Sequence, residues 1–245
     1  MKDISTIVVF AAPLGDAARA KNWQRGLALD EQERAERFVD PVHCRRFVLR
    51  RWILRCVLGM QLGSAPESLT FRTNAFGKPM LAPPFDRAGL FYSASHSCDL
   101  AIIGVRRGKS AFAVDVEQVR TFDDADQIVA RFFSPSEQQE YCALAPADRQ
   151  EAFWRGWTVK EAFIKALGFG LSFPLDQFDV ALHPDHPPAI GRVQADTGEK
   201  WEARIIEAGP EFRGALVGRD LRTLVPRIVP EPINLDALPS PCGDC

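Results

Sequence analysis

The run AFAVDVEQVR, Ala111 to Arg120, constrains the fold more tightly than any other stretch of this chain. Read with period two, Phe112, Val114 and Val116 fall on one side and Ala113, Asp115 and Glu117 on the other. That is the alternation of a strand with one face packed. Same-face neighbours on a strand lie roughly 6.5–7 Å apart, so the second face carries two carboxylates at that spacing. Two readings fit: a strand end with two solvated acids, or a pair that converges on one small cation.

The residues around this strand set its context. The opening MKDISTIVVFAAPLG has a short apolar run, which Asp3 and its brevity make a strand from Ile4 to Ala11 rather than a signal peptide. LDEQERAERF reads as a helix, with Asp30 as cap and Glu33 completing a capping box. After Pro41, VHCRRFVLRRWILRCVLGM is a longer helix on which apolar and basic stripes run side by side, with Gly63 and Pro66 at its exit. LTFRT and GLFYSAS read as strands, NAFGKPML between them as a turn, and LAIIGVRRGKSAFAVDVEQV as two strands joined by a turn at Arg106 to Lys109. Helices follow: DDADQIVARFF, a second one starting at Ser134, Pro135 and Glu137, and DRQEAFWRGWTVKEAFIKALG, stopped by Gly168 and Gly170. FDVAL, WEARIIEA and RGALVG read as strands, and a proline-rich tail closes the chain as an extended strap or a disordered segment. The pattern is α+β, mostly antiparallel.

A formal net charge of −2 excludes a protein that coats nucleic acid by bulk charge. No apolar run approaches the ~18 residues of a membrane span. Six scattered cysteines in a chain of 245 residues do not read as a disulfide framework and point to the reducing cytoplasm. The terminal CGDC has CxxC spacing, but one pair in a proline-rich tail reads as a frayed end.

Within the last long helix, WTVKEAFIK puts Trp157, Glu161 and Lys165 near one face at i, i+4 and i+8. An exposed Glu–Lys pair is worth only a few tenths of a kcal/mol and is common. The surrounding Phe153, Trp154, Phe163, Ile164 and Leu167 make the helix largely buried, and buried charges need partners.

Four blocks in this order resemble the phosphopantetheinyl transferases, specifically the surfactin-type branch. They are FGKPML (Phe76–Leu81), SASHSCDLAIIGV (Ser93–Val105), AVDVE (Ala113–Glu117) and FWRGWTVKEAFIKALGFGL (Phe153–Leu171). The resemblance covers roughly residues 30 to 180. It implies two similar α/β subdomains related by a pseudo-twofold axis, here 1–110 and 111–228 before a tail at 229–245, with the active site in the cleft between them. It implies Mg²⁺-dependent transfer of the 4′-phosphopantetheine arm of coenzyme A to a serine of an apo-acyl or peptidyl carrier protein, releasing adenosine 3′,5′-bisphosphate, by a monomer with no nucleic-acid or membrane partner. By the same resemblance Asp115, Glu117 and Glu161 are metal ligands, and Arg46, Lys78, Ser95, His96 and Lys165 bind coenzyme A, with Arg34 in a looser correspondence. Glu161 and Lys165 are then the catalytic residues; the general base is Glu161 or a metal-bound water. Mg²⁺ suits such a site because it is hard and is content with carboxylates, water and phosphate oxygens.

Arg45, Arg50, Arg51 and Arg55 read as a solvated helix face, and His183 and His186, in a proline-rich turn, carry no function. Three positions depart from the family pattern: Ala113 for Gly, Ser93 for Asn and Cys98 for Gly. A Gly at the last of these can adopt a positive φ that Cys resists. The competing readings are a catalytically silent relative that binds coenzyme A or a carrier, and a pyrophosphate-cleaving enzyme that uses water.

Overall fold

One element order runs twice through the chain. The computed structural model describes residues 6–108, 110–121, 124–168, 173–193, 200–221 and 227–241. The first pass is β1 (Val8–Pro13), α1 (Ala17–Trp23), α2 (Leu29–Glu36), α3 (Pro41–Leu62), the hairpin β2 (Phe71–Thr73) and β3 (Pro79–Leu81), β4 (Leu90–Ser97) and β5 (Leu100–Arg107). The second is β6 (Phe112–Gln118), α4 (Ala125–Phe132), α5 (Pro135–Ala143), α6 (Pro146–Leu167), the hairpin β7 (Phe178–Val180) and β8 (Ile190–Val193), β9 (Glu202–Ile206) and β10 (Phe212–Gly218). Two short strands, β11 (Arg227–Ile228) and β12 (Glu231–Pro232), follow.

Each pass builds a four-stranded sheet, in the orders β12-β1-β5-β4 and β11-β9-β10-β6. Pairing is antiparallel except where β12 joins β1 and β11 joins β9. The long helices have the same punctuation. Proline opens each, and Gly63 (φ 65°) and Gly168 (φ 80°) close them in the left-handed conformation that glycine adopts without a Cβ clash.

The alternation in Ala111–Arg120 is realised as a strand packed on both sides. Phe112, Val114 and Val116 join Val9, Ile102, Ile206 and Leu216 in a core shared by the two sheets. Ala113, on the other face, packs under α6 with Val159, Ala162, Phe163 and Ala166. The stretch expected as two strands joined by a turn is divided between the sheets, so β5 and β6 are not partners. Instead β6 lies beside β4, the edge strand of the other sheet, and serine hydroxyls bridge them. Ser93 Oγ accepts from the Val114 N–H (3.1 Å) and Ser97 Oγ from the Gln118 N–H (3.0 Å). Ser93, one of the three departures from the resembled pattern, thus supplies a backbone bond at this seam.

Two local readings are corrected. Helix α2 begins after Ala28, and Glu31 rather than Glu33 folds back to accept the Ala28 N–H at 3.1 Å; Asp30 lies inside the first turn. The arginine face of α3 is not solvated. Arg55 is 1% exposed, pairs with Glu31 and donates to the Pro66 and Leu69 carbonyls at 3.1 and 2.8 Å. Arg51 pairs with the same carboxylate. Helical spacing showed a basic stripe but not the acid that α2 brings against it.

The tail straps back across the first half. Trp52 Nε1 donates to the Pro239 carbonyl at 3.0 Å, Leu238 is buried, and Arg19 binds the Leu235 carbonyl and Asp236. The CGDC cysteines and Gly170 lie outside the described residues. No described helix is long and apolar enough to cross a membrane.

Candidate active site

The two acids of β6 face α6, and burial decides their chemistry. Asp115 is 1% exposed; its Oδ1 accepts from Ser95 Oγ at 2.7 Å and from Lys165 Nζ at 2.5 Å. Among the described residues its Oδ2 is buried without a partner. Glu117 accepts from Ser97 Oγ at 2.8 Å. Burial, and next the charge of Asp115, push its carboxyl upward. Glu161, one turn before Lys165 on α6, is pushed up to about 7, first by burial and then by Asp115, with Glu117 adding to it and Lys165 opposing. Burial works to lower Lys165, but Asp115 and the two glutamates overcome it and the net shift is upward.

Asp115 thus raises the proton affinity of both glutamates, and the acids form a site short of positive charge. As they stand, the described residues contain no group of three or more His, Cys, Asp or Glu side chains converged on a metal position. The donor set nonetheless fits a hard divalent cation: oxygen ligands only, with one buried carboxylate oxygen, Asp115 Oδ2, left unpaired.

Beside the acids opens a cleft of about 690 Å³, lined by Arg34, Arg50, Arg51, Lys78, Ser95, His96 and Lys165, together with Asp30 and Glu31, on its polar side and by Phe47, Leu54, Phe71, Tyr92 and Ile103 on its apolar side. Aromatic rings hold the guanidinium groups in place: those of Arg34 and Arg50 lie 5.3 and 5.2 Å from the Phe47 ring centre. Among the described residues neither has a carboxylate partner, and Arg50 Nε is buried without an acceptor. Burial, then Arg51 and Arg34, pull Arg50 down to about 10. His96 lies within 3.3 Å of Arg50. Its partial removal from water, followed by Arg50 and Lys165, pulls its pKa down to about 4, so the ring is neutral at pH 7 although it opens into the cleft.

The expected residues are thus distributed unevenly. Ser95, Asp115 and Lys165 are bonded to one another, and Lys78 Nζ donates to the Lys165 carbonyl at 2.7 Å, fixing the FGKP turn to the end of α6. Arg46 does not line the cleft and is engaged at 2.8 Å by Asp99, which also holds Arg45. Arg50 and Arg51, expected on a solvated helix face, line the cleft instead, Arg51 already paired with Glu31 and Arg50 without a carboxylate among the described residues. The signal for Arg50 was present, since it lies one helical turn from Arg46. Cys98 takes φ 48°, the left-handed conformation expected to resist a side chain, in the turn that follows the serine strand.

The comparisons with known proteins agree on a family. The sequence model of the 4'-phosphopantetheinyl transferase superfamily matches residues 111–217. The 4'-phosphopantetheinyl transferase HetI of Nostoc sp. is 38% identical over 185 residues, which are 76% of this chain and 74% of that protein. A putative 4'-phosphopantetheinyl transferase of Synechocystis sp. is 32% identical over 183 residues, 75% of this chain and 72% of that one. The 4'-phosphopantetheinyl transferase Sfp of Bacillus subtilis is 31% identical over 211 residues, 77% and 90% of the two chains.

Proposed function

Because the chain belongs to the 4'-phosphopantetheinyl transferase superfamily, we propose that it transfers the 4′-phosphopantetheine arm of coenzyme A to a serine of an apo-acyl or peptidyl carrier protein and releases adenosine 3′,5′-bisphosphate. One observation carries the reading: an acidic group on β6 and α6, its Asp115 buried, adjoins a cleft in which Arg34 and Arg50, without a carboxylate partner among the described residues, suit a phosphorylated nucleotide.

Asp115, Glu117 and Glu161 would hold Mg²⁺. When bound, the ion would neutralise charge on the pyrophosphate and on the departing oxygen. The protein's own groups do the rest. Glu161, partly buried and raised to about 7, is the base in its ionised form, its carboxylate accepting the proton of the attacking serine hydroxyl. A serine Oγ–P bond forms at the pantetheine-side phosphorus as the P–O bond to the adenosine bisphosphate breaks. Lys165 reaches the pyrophosphate as a compact cation on a flexible stem. Arg34 and Arg50 receive the 3′-phosphate, Arg50 in the part first given to Arg46, and His96 serves as a neutral hydrogen-bonding group. Acids and cleft belong to one chain, which supports action as a monomer.

Intact-mass spectrometry tests the reading. Apo-carriers of peptide, polyketide and fatty-acid type are incubated with the enzyme, coenzyme A and Mg²⁺. The expected result is a gain of one phosphopantetheine arm on at least one carrier, lost when Glu161→Gln replaces the wild type or when the metal is chelated. Coenzyme A cleaved without any carrier, or arm transfer undiminished in Glu161→Gln, would overturn it.

A further inference from the structure

We propose that Lys165 is the resident counter-ion of the carboxylate site: without a divalent ion its ammonium occupies the position beside Asp115, and it must swing out toward the cleft before such an ion can sit. The inference rests on the metal-binding reading above and adds a second position for a residue assigned to the pyrophosphate.

The geometry carries it. Lys165 Nζ lies 2.5 Å from Asp115 Oδ1 and 3.1 Å from Ser95 Oγ, which itself donates to Asp115 Oδ1 at 2.7 Å. Asp115 is sealed, but the Lys165 side chain is 34% exposed and lines the cleft, so it reaches the acid from the solvent side. Its backbone is pinned by Lys78, which donates to the Lys165 carbonyl, so the ammonium can travel without moving α6. Without this charge, Asp115, Glu117 and Glu161 would face one another with no cation among them, an expensive arrangement in a buried site. The resident ammonium also accounts for the lack of a converged metal cluster. Among the described residues the ammonium pairs with Asp115 Oδ1, and Asp115 Oδ2 is buried without a partner.

A divalent ion and the ammonium cannot both occupy the space against one carboxylate. The pyrophosphate that brings the metal its further oxygen ligands also offers Lys165 another anion in the adjoining cleft. The lysine therefore keeps the folded acids neutralised before substrate arrives and competes with the metal until it does. Breaking a charge-assisted hydrogen bond of this kind lowers metal affinity on the order of tenfold.

The test uses Mn²⁺ as probe, with free ion measured by electron paramagnetic resonance in the absence of coenzyme A. Lys165→Met is expected to bind Mn²⁺ on the order of tenfold tighter than wild type. Lys165→Arg, which keeps the charge, stays near wild type. Metal-free Lys165→Met is expected to melt lower than wild type and to recover its melting temperature with Mn²⁺. A second measurement needs no variant to fold: in wild type labelled at lysine, the Lys165 side-chain resonance shifts as Mg²⁺ saturates. Equal or weaker Mn²⁺ binding by Lys165→Met, or a Lys165 resonance unmoved while Mg²⁺ binds, overturns the counter-ion alone. Failure of every protein to bind Mn²⁺, with coenzyme A present as well, overturns the metal reading and the counter-ion together.

Discussion

Replacing Lys160 by Met should destabilise the protein severely while leaving every proposed ligand in place. Lys160 stands beside Glu161 in the WTVKEA block but points the other way, at 0% exposure. Its ammonium has three protons and finds three oxygens: Glu137 Oε2 at 2.8 Å, the Leu175 carbonyl at 2.7 Å and the Phe178 carbonyl at 3.1 Å. The Phe178 ring centre lies 4.2 Å away. Glu137 in turn accepts the Ser134 and Val180 N–H groups at 2.6 and 2.7 Å, so one buried ion pair joins α5, α6 and β7. Burial depresses the lysine and raises the glutamate, each shift opposed by the partner's charge. Methionine keeps most of the stem volume and removes only the ammonium. Glu137 is then a buried charge without its cation, and two carbonyls lose their donor, a loss of about 3–5 kcal/mol. Against a total of roughly 5–15 kcal/mol this is a large fraction. Urea unfolding followed by circular dichroism measures it. Lys160→Met combined with Glu137→Gln should cost less than the sum of the single changes, by about 0.5–3 kcal/mol. A Lys160→Met protein within about 1 kcal/mol of wild type would refute the claim that this ammonium is charged, buried and fully bonded.

Cutting the chain after Pro232 removes the buried Leu238 and the acceptor of Trp52 Nε1. Stability should fall by about 2–4 kcal/mol, from side-chain burial and one hydrogen bond, and an unchanged urea midpoint would show that the strap contributes nothing. Arg50→Ala should raise KM for coenzyme A on the order of tenfold, whereas Arg46→Ala stays near wild type; the reverse order in steady-state assays would return the phosphate to Arg46. His96 should titrate near pH 4 in imidazole NMR spectra, not at its ordinary 6.5. Its folded pKa lies below the unfolded one, so its contribution to stability is fully present above pH 6.5 and is lost as the pH falls toward 4. A midpoint near 6.5 would mean that Arg50 and the cleft walls do not crowd it.

What the sequence disclosed follows from how far each cause reaches along the chain. The alternation of Phe112, Val114 and Val116 with Ala113, Asp115 and Glu117 is local, and it sorted β6 into its two faces, but that the acid face also packs, under α6, needed the tertiary structure. Pro146 and Gly168 bound α6 by backbone preferences that need no tertiary partner. The acid that claims Arg51 and Arg55 comes from another helix, and Asp99, which takes Arg46, comes from a strand turn 53 residues away. Periodicity marks a basic stripe without saying which of its members are already paired. The same holds for the seam of β4 and β6: Ser93, Ser95 and Ser97 lie on one side by spacing, but only the assembled sheets give them backbone N–H groups and carboxylates to bind.

The two passes of the fold separate what holds the molecule together from what gives it chemistry. Setting Pro41 against Pro146, the openings of α3 and α6, puts Arg55 opposite Lys160. Both cations are buried, both pair with a glutamate of the preceding helix, and both donate to two carbonyls of the segment that follows their own helix. Those glutamates, Glu31 and Glu137, also fold back on the first turns of their own helices. The same network thus solves the same packing problem twice, with Arg in one half and Lys in the other. By the same alignment Val9 falls opposite Val114 in the core between the sheets. The neighbouring positions diverge in charge: Phe10, Ala12, Cys56 and Met60 in the first half stand opposite Asp115, Glu117, Glu161 and Lys165 in the second. A buried ion pair present in both halves is explained by architecture, whereas four charged groups confined to one half, with Lys165 lining the basic cleft, are not required by it. The asymmetry therefore gives Lys160 a structural part and supports the chemical part proposed for Glu161, although the two are adjacent in sequence and belong to the same motif.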